Sequence, residues 1–446
     1  MKVIHDLFPE ETLKTSYSIL EGIFCTLAGS ALSVREVRQI GIKLQDWVKK
    51  NQPIQFICKN SGYYHYKVDD IKARVIYPAY LSPAMAEPFV ITPFSHGFIV
   101  NFAVPDQKID KPVPVAPPFH LSATFEKYQR WMNNINVELV SDVNSYINSG
   151  QSLKLLSIAE ALHEKEISDI SDMILQQRRA LRVLLIAGPS SSGKTSFAQR
   201  LSTQLQVNGL NPVPLFLDDY FLDRLQTPRD EQGNYDFDCP EALDLELLHD
   251  HIEKLIGEET IEAPAFDFLQ GCRSKETKTI CLGPGDILII EGIHALNPRL
   301  VTGINKNHIY KVYLSALGGL NIDFMNRIPT TDARLIRRLV RDDRFRGTDP
   351  EKTFNQWPSV RKSEYENIFR FQEEADVMFN SSMLYEMNAL RPFAEASLEK
   401  IGEDSPFYEC KERIMNLLSF FEPMDVAKVP YNSIIREFIG GSIYFC

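Results

Sequence analysis

A chain of 446 residues is too long for one small core, and at ~150 residues per domain it should divide into about three units. Apolar residues at 44% and charged residues at 24% exclude wholesale disorder. With 48 Lys and Arg against 59 Asp and Glu, a formal charge of -11 excludes general polyanion binding, so any phosphate chemistry needs a locally basic pocket.

No apolar run approaches the ~20 residues of a membrane-spanning helix. The opening MKVIHDLFPEETLK has no basic patch followed by an apolar stretch, so no secretory signal is expected. Seven scattered cysteines (Cys25, Cys58, Cys239, Cys272, Cys281, Cys410 and Cys446) never form a C-x-x-C pair. That pattern excludes a zinc knuckle and fits idle thiols in a reducing compartment, so a cytoplasmic protein is expected.

Residues 1–125 read as an α+β domain. The stretch 33–50 carries Val34, Val37, Ile40, Ile42, Leu44 and Val48 at near-helical spacing behind Ser33, a good N-cap. Strand-like pieces follow at 54–59 and 63–68, and four prolines in 111–120 predict a linker. Residues 126–180 form a helical connector. At 182–188 the texture changes: RVLLIAG is an unbroken apolar run ending in glycine, as in a strand buried on both faces of a parallel sheet. An amphipathic helix is predicted over 195–209, then strands over 212–219, 286–292 and 308–316, separated by helix-length segments. Strands alternating with helices predict an α/β fold with a mostly parallel, doubly wound sheet over 181–395, with ligands at the carboxyl ends of the strands. Residues 396–446 form a C-terminal helical extension.

Gly188-Pro189-Ser190-Ser191-Ser192-Gly193-Lys194-Thr195 satisfies G-x-x-x-x-G-K-[ST] between a predicted strand and a predicted helix, the context that identifies a P-loop. The glycines let backbone N–H groups turn around phosphate oxygens, the helix that continues through Ser196 presents its positive end, and Lys194 neutralises the β- and γ-phosphates. Thr195 supplies a hydroxyl to Mg²⁺. ATP and Mg²⁺ are the expected cofactors.

A P-loop protein either hydrolyses its nucleotide or passes the γ-phosphoryl to an acceptor. Glu291, ending the strand 286–292, suits a water-orienting role in a hydrolase or a metal-holding role in a kinase. Asp218 and Asp219 end the strand after the P-loop helix and are followed by Tyr220 and Phe221; Asp236 and Asp238 carry Tyr235 and Phe237. Carboxylates interleaved with rings suit a small polyhydroxyl acceptor, which favours a kinase. Arg334, Arg337, Arg338 and Arg341 share one helix face, and Arg344 and Arg346 follow. Between 327 and 346 seven Arg meet three Asp, a net of +4. That predicts a phosphate clamp on an Arg-rich lid.

In the order of these motifs, residues ~182–392 resemble the uridine kinase and phosphoribulokinase family. The resemblance implies that Asp218 of LDDYF is the general base, that Asp238 of FDCPEALD binds ribose hydroxyls, and that Glu291 of EGI assists the metal. It implies that Lys194 and Arg341 are catalytic, that Arg338 and Arg346 belong with the nucleotide, and that Tyr220, Phe221, Phe266, Arg273 and Arg334 line the acceptor. The element P-x-Y-D-F-x-x-H-x-R of uridine kinases has Phe266 for its Tyr and Gly271 for its His, and Cys239 stands where His is common, so groups that read the base edge are missing. The strings 217–230, 334–347, 372–381 and 436–441 are similar to bacterial nucleoside kinases preceded by a region like the second additional domain of threonyl-tRNA synthetase. His5, His65, His96 and His120 lack the H-x-x-x-H spacing of that domain, so neither tRNA editing nor zinc is expected. The implied activity is ATP-dependent phosphorylation of a nucleoside 5′-OH, with another polyol or sugar phosphate, or a nucleotide-gated RNA-binding regulator, as alternatives. The expected partner is the small-molecule nucleoside or polyol, without membrane or nucleic acid. The N-terminal region reads as a packing or oligomerisation module, which leaves a homo-oligomer open.

Overall fold

The computed structural model describes residues 1–19, 22–86, 88–102, 118–177, 181–229, 233, 235–267, 270–301 and 304–444. The linker predicted over 111–120 lies outside them up to residue 117, and Phe119 already opens a helix. The chain divides into two compact units, each assembled from three stretches.

The first unit comprises Met1–Gln151, Gly318–Ala333 and Glu409–Pro423. Its elements begin with α1 (Lys2–Leu7), β1 (Leu13–Ile19), β2 (Gly22–Leu27) and α2 (Val34–Lys50). The three strands β3 (Gln55–Asn60), β4 (Tyr63–Val68) and β5 (Ile71–Val75) form one antiparallel sheet. The strands β6 (Phe89–Phe94) and β7 (Gly97–Phe102) complete a second antiparallel sheet, ordered β1-β2-β7-β6. Helix α2 starts where the sequence predicts: Ser33 Oγ accepts from the Glu36 N–H at 3.3 Å, while Glu36 Oε2 accepts from the Ser33 N–H at 2.8 Å. Val37 and Ile40 of that helix join Ile4, Leu27 and Phe98 in one core. Helices α3 (Phe119–Asn134) and α4 (Val140–Asn148) belong to this unit too. Phe125 of α3 stacks on Tyr17 of β1 with centroids 4.0 Å apart, so a boundary at residue 125 would cut through packed rings.

The second unit comprises Ser152–Leu317, Arg334–Tyr408 and Met424–Cys446. It opens with α5 (Ser152–Gln177), β8 (Val183–Ala187), α6 (Lys194–Val207), β9 (Pro212–Phe216) and α7 (Leu245–Ile256). Two short hairpins pair β10 (Ile261–Ala263) with β13 (Lys278–Ile280) and β11 (Phe266–Asp267) with β12 (Cys272–Arg273). Next come β14 (Ile287–Glu291), β15 (Ile309–Ser315), α8 (Thr330–Phe345), α9 (Pro350–Asn367) and β16 (Val377–Asn380). Helix α10 (Glu386–Leu398) and a last turn, α12 (Arg436–Ile439), end the order, whereas all of α11 (Tyr408–Leu418) but its first residue belongs to the first unit. The sheet runs β16-β15-β8-β14-β9 and all its pairings are parallel. Every residue of β8 and β14 is buried, as their unbroken apolar sequences predict. This is an α/β fold built on a parallel sheet, as the alternation of strands and helices predicts. Helix α5 is part of it rather than a connector, because Glu164 accepts from Arg200 at 2.8 Å and from Gln204 at 2.5 Å on α6.

Two buried histidines predict a loss of stability in acid for this unit. His163 Nε2 lies 3.0 Å from the Ser382 carbonyl oxygen, and burial pushes its pKa down to about 3. Burial likewise pushes His294 down to about 4. An unfolded histidine titrates near 6.5, so the unfolded chain takes up protons first. Their contribution is complete above that pH and is lost as pH falls toward the folded values, by about 1.4 kcal/mol per unit for each ring. Urea unfolding at pH 7 and pH 5 should therefore show a loss smaller by roughly 1.5–2 kcal/mol in His163→Gln than in the parent. Equal losses would place the acid sensitivity elsewhere.

Candidate active site

The P-loop joins β8 to α6. A Cβ on Gly188 would stand 2.3 Å from the Leu314 carbonyl oxygen, so only glycine lets the chain leave β8 this close to β15. Gly193 caps α6 at φ +83° and provides no side-chain acceptor, which leaves the first amides of the helix directed at the loop. Among the described residues, the Ser191 and Ser192 hydroxyls are buried without a hydrogen-bond partner. Lys194, also buried, donates to the Pro189 carbonyl at 3.4 Å. Burial pushes its pKa down, opposed by the charges of Glu291, Asp218 and Glu437. Orphaned hydroxyls, a helix N-terminus and an ammonium together fit a polyphosphate.

Thr195 Oγ1 donates to Glu291 Oε2 at 3.1 Å. Burial raises the Glu291 pKa to about 7, helped by the negative charges of Asp218 and Glu437 and opposed by Lys194. A hydroxyl beside a carboxylate fits Mg²⁺, which prefers oxygen ligands and completes its shell with water and phosphate oxygens. Among the described residues, no three His, Cys, Asp or Glu side chains gather as a metal site. Phosphate would have to supply part of that shell.

A cavity of about 1180 Å³ opens in front of the loop. Ser190, Ser191 and Lys194 line it, with Asp218 and Asp238, the rings of Phe221, Tyr235, Phe237 and Phe266, and the guanidinium groups of Arg338, Arg341 and Arg346. The turn after β9 is a 3-10 helix, Leu217–Tyr220, which sends successive side chains in different directions. Asp218 lines the cavity, whereas Asp219 accepts the Phe266 N–H at 3.3 Å and has its pKa raised by burial. Burial also raises the Asp238 pKa, against the pull of Arg338. Arg338, Arg341 and Arg346 gather around Asp342, at 3.2, 2.7 and 3.9 Å. The charge of Arg341, then burial, pushes Arg346 down to about 10.

Three expected acceptor residues stand outside the cavity lining. Tyr220 is buried, with its hydroxyl 2.8 Å from His251 Nδ1. Arg273 is engaged by Asp244 at 3.0 Å and by the carbonyls of Phe221 and Tyr220, so it braces the turn that carries Asp218. Arg334 donates to the Ser190 carbonyl at 3.0 Å and pairs with Glu364, which makes it a support for the P-loop. Arg337 is similarly held by Glu386 at 2.6 Å and reaches the Ser191 carbonyl at 3.3 Å. On α8, Leu335, Ile336, Leu339 and Val340 are buried, and so are Arg334 and Arg337, so the helix is an internal element with only part of its Arg face toward the cavity.

Sequence reasoning missed several participants. Ser363 of α9 donates to the Asp238 carbonyl at 2.5 Å, and Lys352, Asn355 and Gln356 of the same helix line the cavity. Nothing in their local sequence marks them. Glu437 of α12 accepts from Ser196, and only the resemblance of the string at 436–441 pointed to that segment.

Residues 183–386 match the model of the Phosphoribulokinase / Uridine kinase family. The uridine kinase of Deinococcus deserti is 32% identical over 175 residues, which are 39% of this chain and 75% of that protein. The chain belongs to the phosphoribulokinase and uridine kinase family. The uridine kinase of Oceanobacillus iheyensis is 31% identical over 198 residues, 44% of this kinase and 84% of that protein. Among solved structures, that of "a possible uridine kinase" from Bacillus stearothermophilus is 21% identical, with a TM-score of 0.32, over 48% of this kinase and 100% of that chain. A D-glycerate 3-kinase from Cryptococcus neoformans is 18% identical, with a TM-score of 0.32, over 46% and 89%. The family match runs from β8 to the first residue of α10, so it contains the P-loop, Asp218, Asp238, Glu291 and the arginines of α8. Glu437 and the first unit's Met1–Gln151 lie outside it.

Proposed function

We propose that this kinase transfers the γ-phosphoryl group of ATP to a primary hydroxyl, the 5′-OH of a uridine-like nucleoside being the leading acceptor. The observation that carries the reading is the cavity that Lys194, Asp218, Asp238 and a wall of four aromatic rings share. Loop amides, Ser191, Ser192 and Lys194 hold the phosphates, and Thr195 with Glu291 would hold Mg²⁺, which when bound offsets phosphate charge. Asp238 accepts the sugar hydroxyls and the rings cover the sugar and base. Asp218 takes the hydroxyl proton as the acceptor oxygen bonds to phosphorus, ADP leaves, and Arg338, Arg341 and Arg346 offset charge on the group in flight.

One observation favours a second acceptor class. Arg224, Arg229, Lys352 and Lys362 add further positive charge to the same cavity, which suits an acceptor that carries its own anionic group, such as a sugar phosphate. ADP release measured with a panel of nucleosides, polyols and sugar phosphates separates these readings. Release that requires a nucleoside supports the first and release that requires a phosphorylated sugar supports the second. Hydrolysis without any acceptor, stimulated by RNA, would replace both with a nucleotide-gated regulator.

A further inference from the structure

We propose that the C-terminal segment is a built-in competitor for the nucleotide. The carboxylate of Glu437 holds the place of a phosphoryl oxygen at the start of α6 and withdraws when the triphosphate binds. The inference rests on reading the loop as a phosphate site, and on nothing about the acceptor.

Glu437 Oε2 accepts two hydrogen bonds from Ser196, from the backbone N–H at 3.3 Å and from Oγ at 2.9 Å. Ser196 is the third residue of α6, so its amide is among the first four of the helix that lack an intrahelical acceptor. Those amides and the helix dipole are what a phosphate uses at such a terminus. A carboxylate offers the same charge sign and the same acceptor oxygens, so the two ligands exclude one another at Ser196.

The contact is built into the fold. Ile434 packs so tightly on the loop that a Cβ on Gly193 would lie 2.5 Å from its Cγ2. Ile434, Ile435 and Phe438 are fully buried. The segment also carries its own scaffold, because Arg436 donates to the carbonyls of Val429 at 2.6 Å, Val426 at 3.0 Å and Gly440 at 3.2 Å. Those bonds allow it to shift as one piece.

Electrostatics give the exchange its direction. Glu437 joins Glu291 and Asp218 in offsetting the charge of Lys194, and joins Asp342 and Asp218 in offsetting that of Arg341. A triphosphate supplies that negative charge itself, and a third carboxylate beside it becomes repulsive. The affinity measured for nucleotide is then the intrinsic affinity reduced by the fraction of molecules in which Glu437 has withdrawn.

The test uses the full chain and its Glu437→Gln variant, with ATP binding followed by calorimetry. Gln keeps the shape and can still accept from Ser196 but has no charge. The variant should bind ATP about 5- to 10-fold more tightly, as expected when the withdrawn state becomes more populated. Unchanged affinity would overturn the proposal, and so would weaker binding, which would make Glu437 a helper of the phosphate or its cation. Hydrogen exchange on the parent protein gives a second reading: amides of 433–441 should exchange faster at saturating ATP, and unchanged or slower exchange would overturn the proposal. If the parent binds no ATP, the kinase reading falls and takes this inference with it.

Discussion

Asp218→Asn should lower acceptor-dependent ADP release by ~10²-fold or more while ATP affinity stays within about twofold. The physical reason is local. The carboxylate faces the cavity that Lys194 and Asp238 line, where an acceptor hydroxyl would shed its proton, and an amide cannot take that proton. Its neighbour supplies the control. Asp219 accepts the Phe266 N–H at 3.3 Å and does not line the cavity, so Asp219→Asn should change turnover by only a few fold. Single-turnover assays of both variants, with calorimetry for ATP, decide the matter. If Asp219→Asn proved the more damaging, the base would have to be reassigned.

Glu386→Ala should be the most destabilising single change on α10. Arg337 is fully buried and donates to Glu386 through Nε at 2.7 Å and Nη2 at 2.6 Å. Removing the carboxylate strands a guanidinium in the interior, which costs about 3–5 kcal/mol. For a unit of this size that corresponds to a fall in melting temperature of roughly 6–20 °C. Replacing both partners, Arg337→Met with Glu386→Leu, should recover most of the loss, because the desolvation cost of the two charges disappears together. A single variant as stable as the parent would show that the pair does not hold α8 in place.

What the sequence disclosed followed the range of the interactions concerned. Helix α2 was readable to within a residue because its capping box and apolar spacing are local. The P-loop was readable because a buried strand, a glycine-rich turn and a helix start lie within about twenty residues. The α8 arginines show where local reading fails. On a helical wheel Arg334, Arg337, Arg338 and Arg341 are equivalent, yet Glu364 and Glu386, far along the chain, withdraw two of them from the cavity. Tyr220 and Arg273 stand outside the cavity lining for the same reason: His251 and Asp244 engage them. Both units are assembled from separated stretches, which composition along the chain cannot register.

Strand β8 lies at the centre of its sheet, but the strands on either side of it are residues 287–291 and 309–315. A ribosome adding ~5–20 residues per second releases the P-loop strand roughly 5–25 s before both neighbours exist. During that interval five consecutive apolar side chains, Val183 to Ala187, have no sheet to enter. The stretch that later carries the phosphate loop is thus the part of the newborn chain most prone to stick to other chains, and the one a chaperone has most reason to cover.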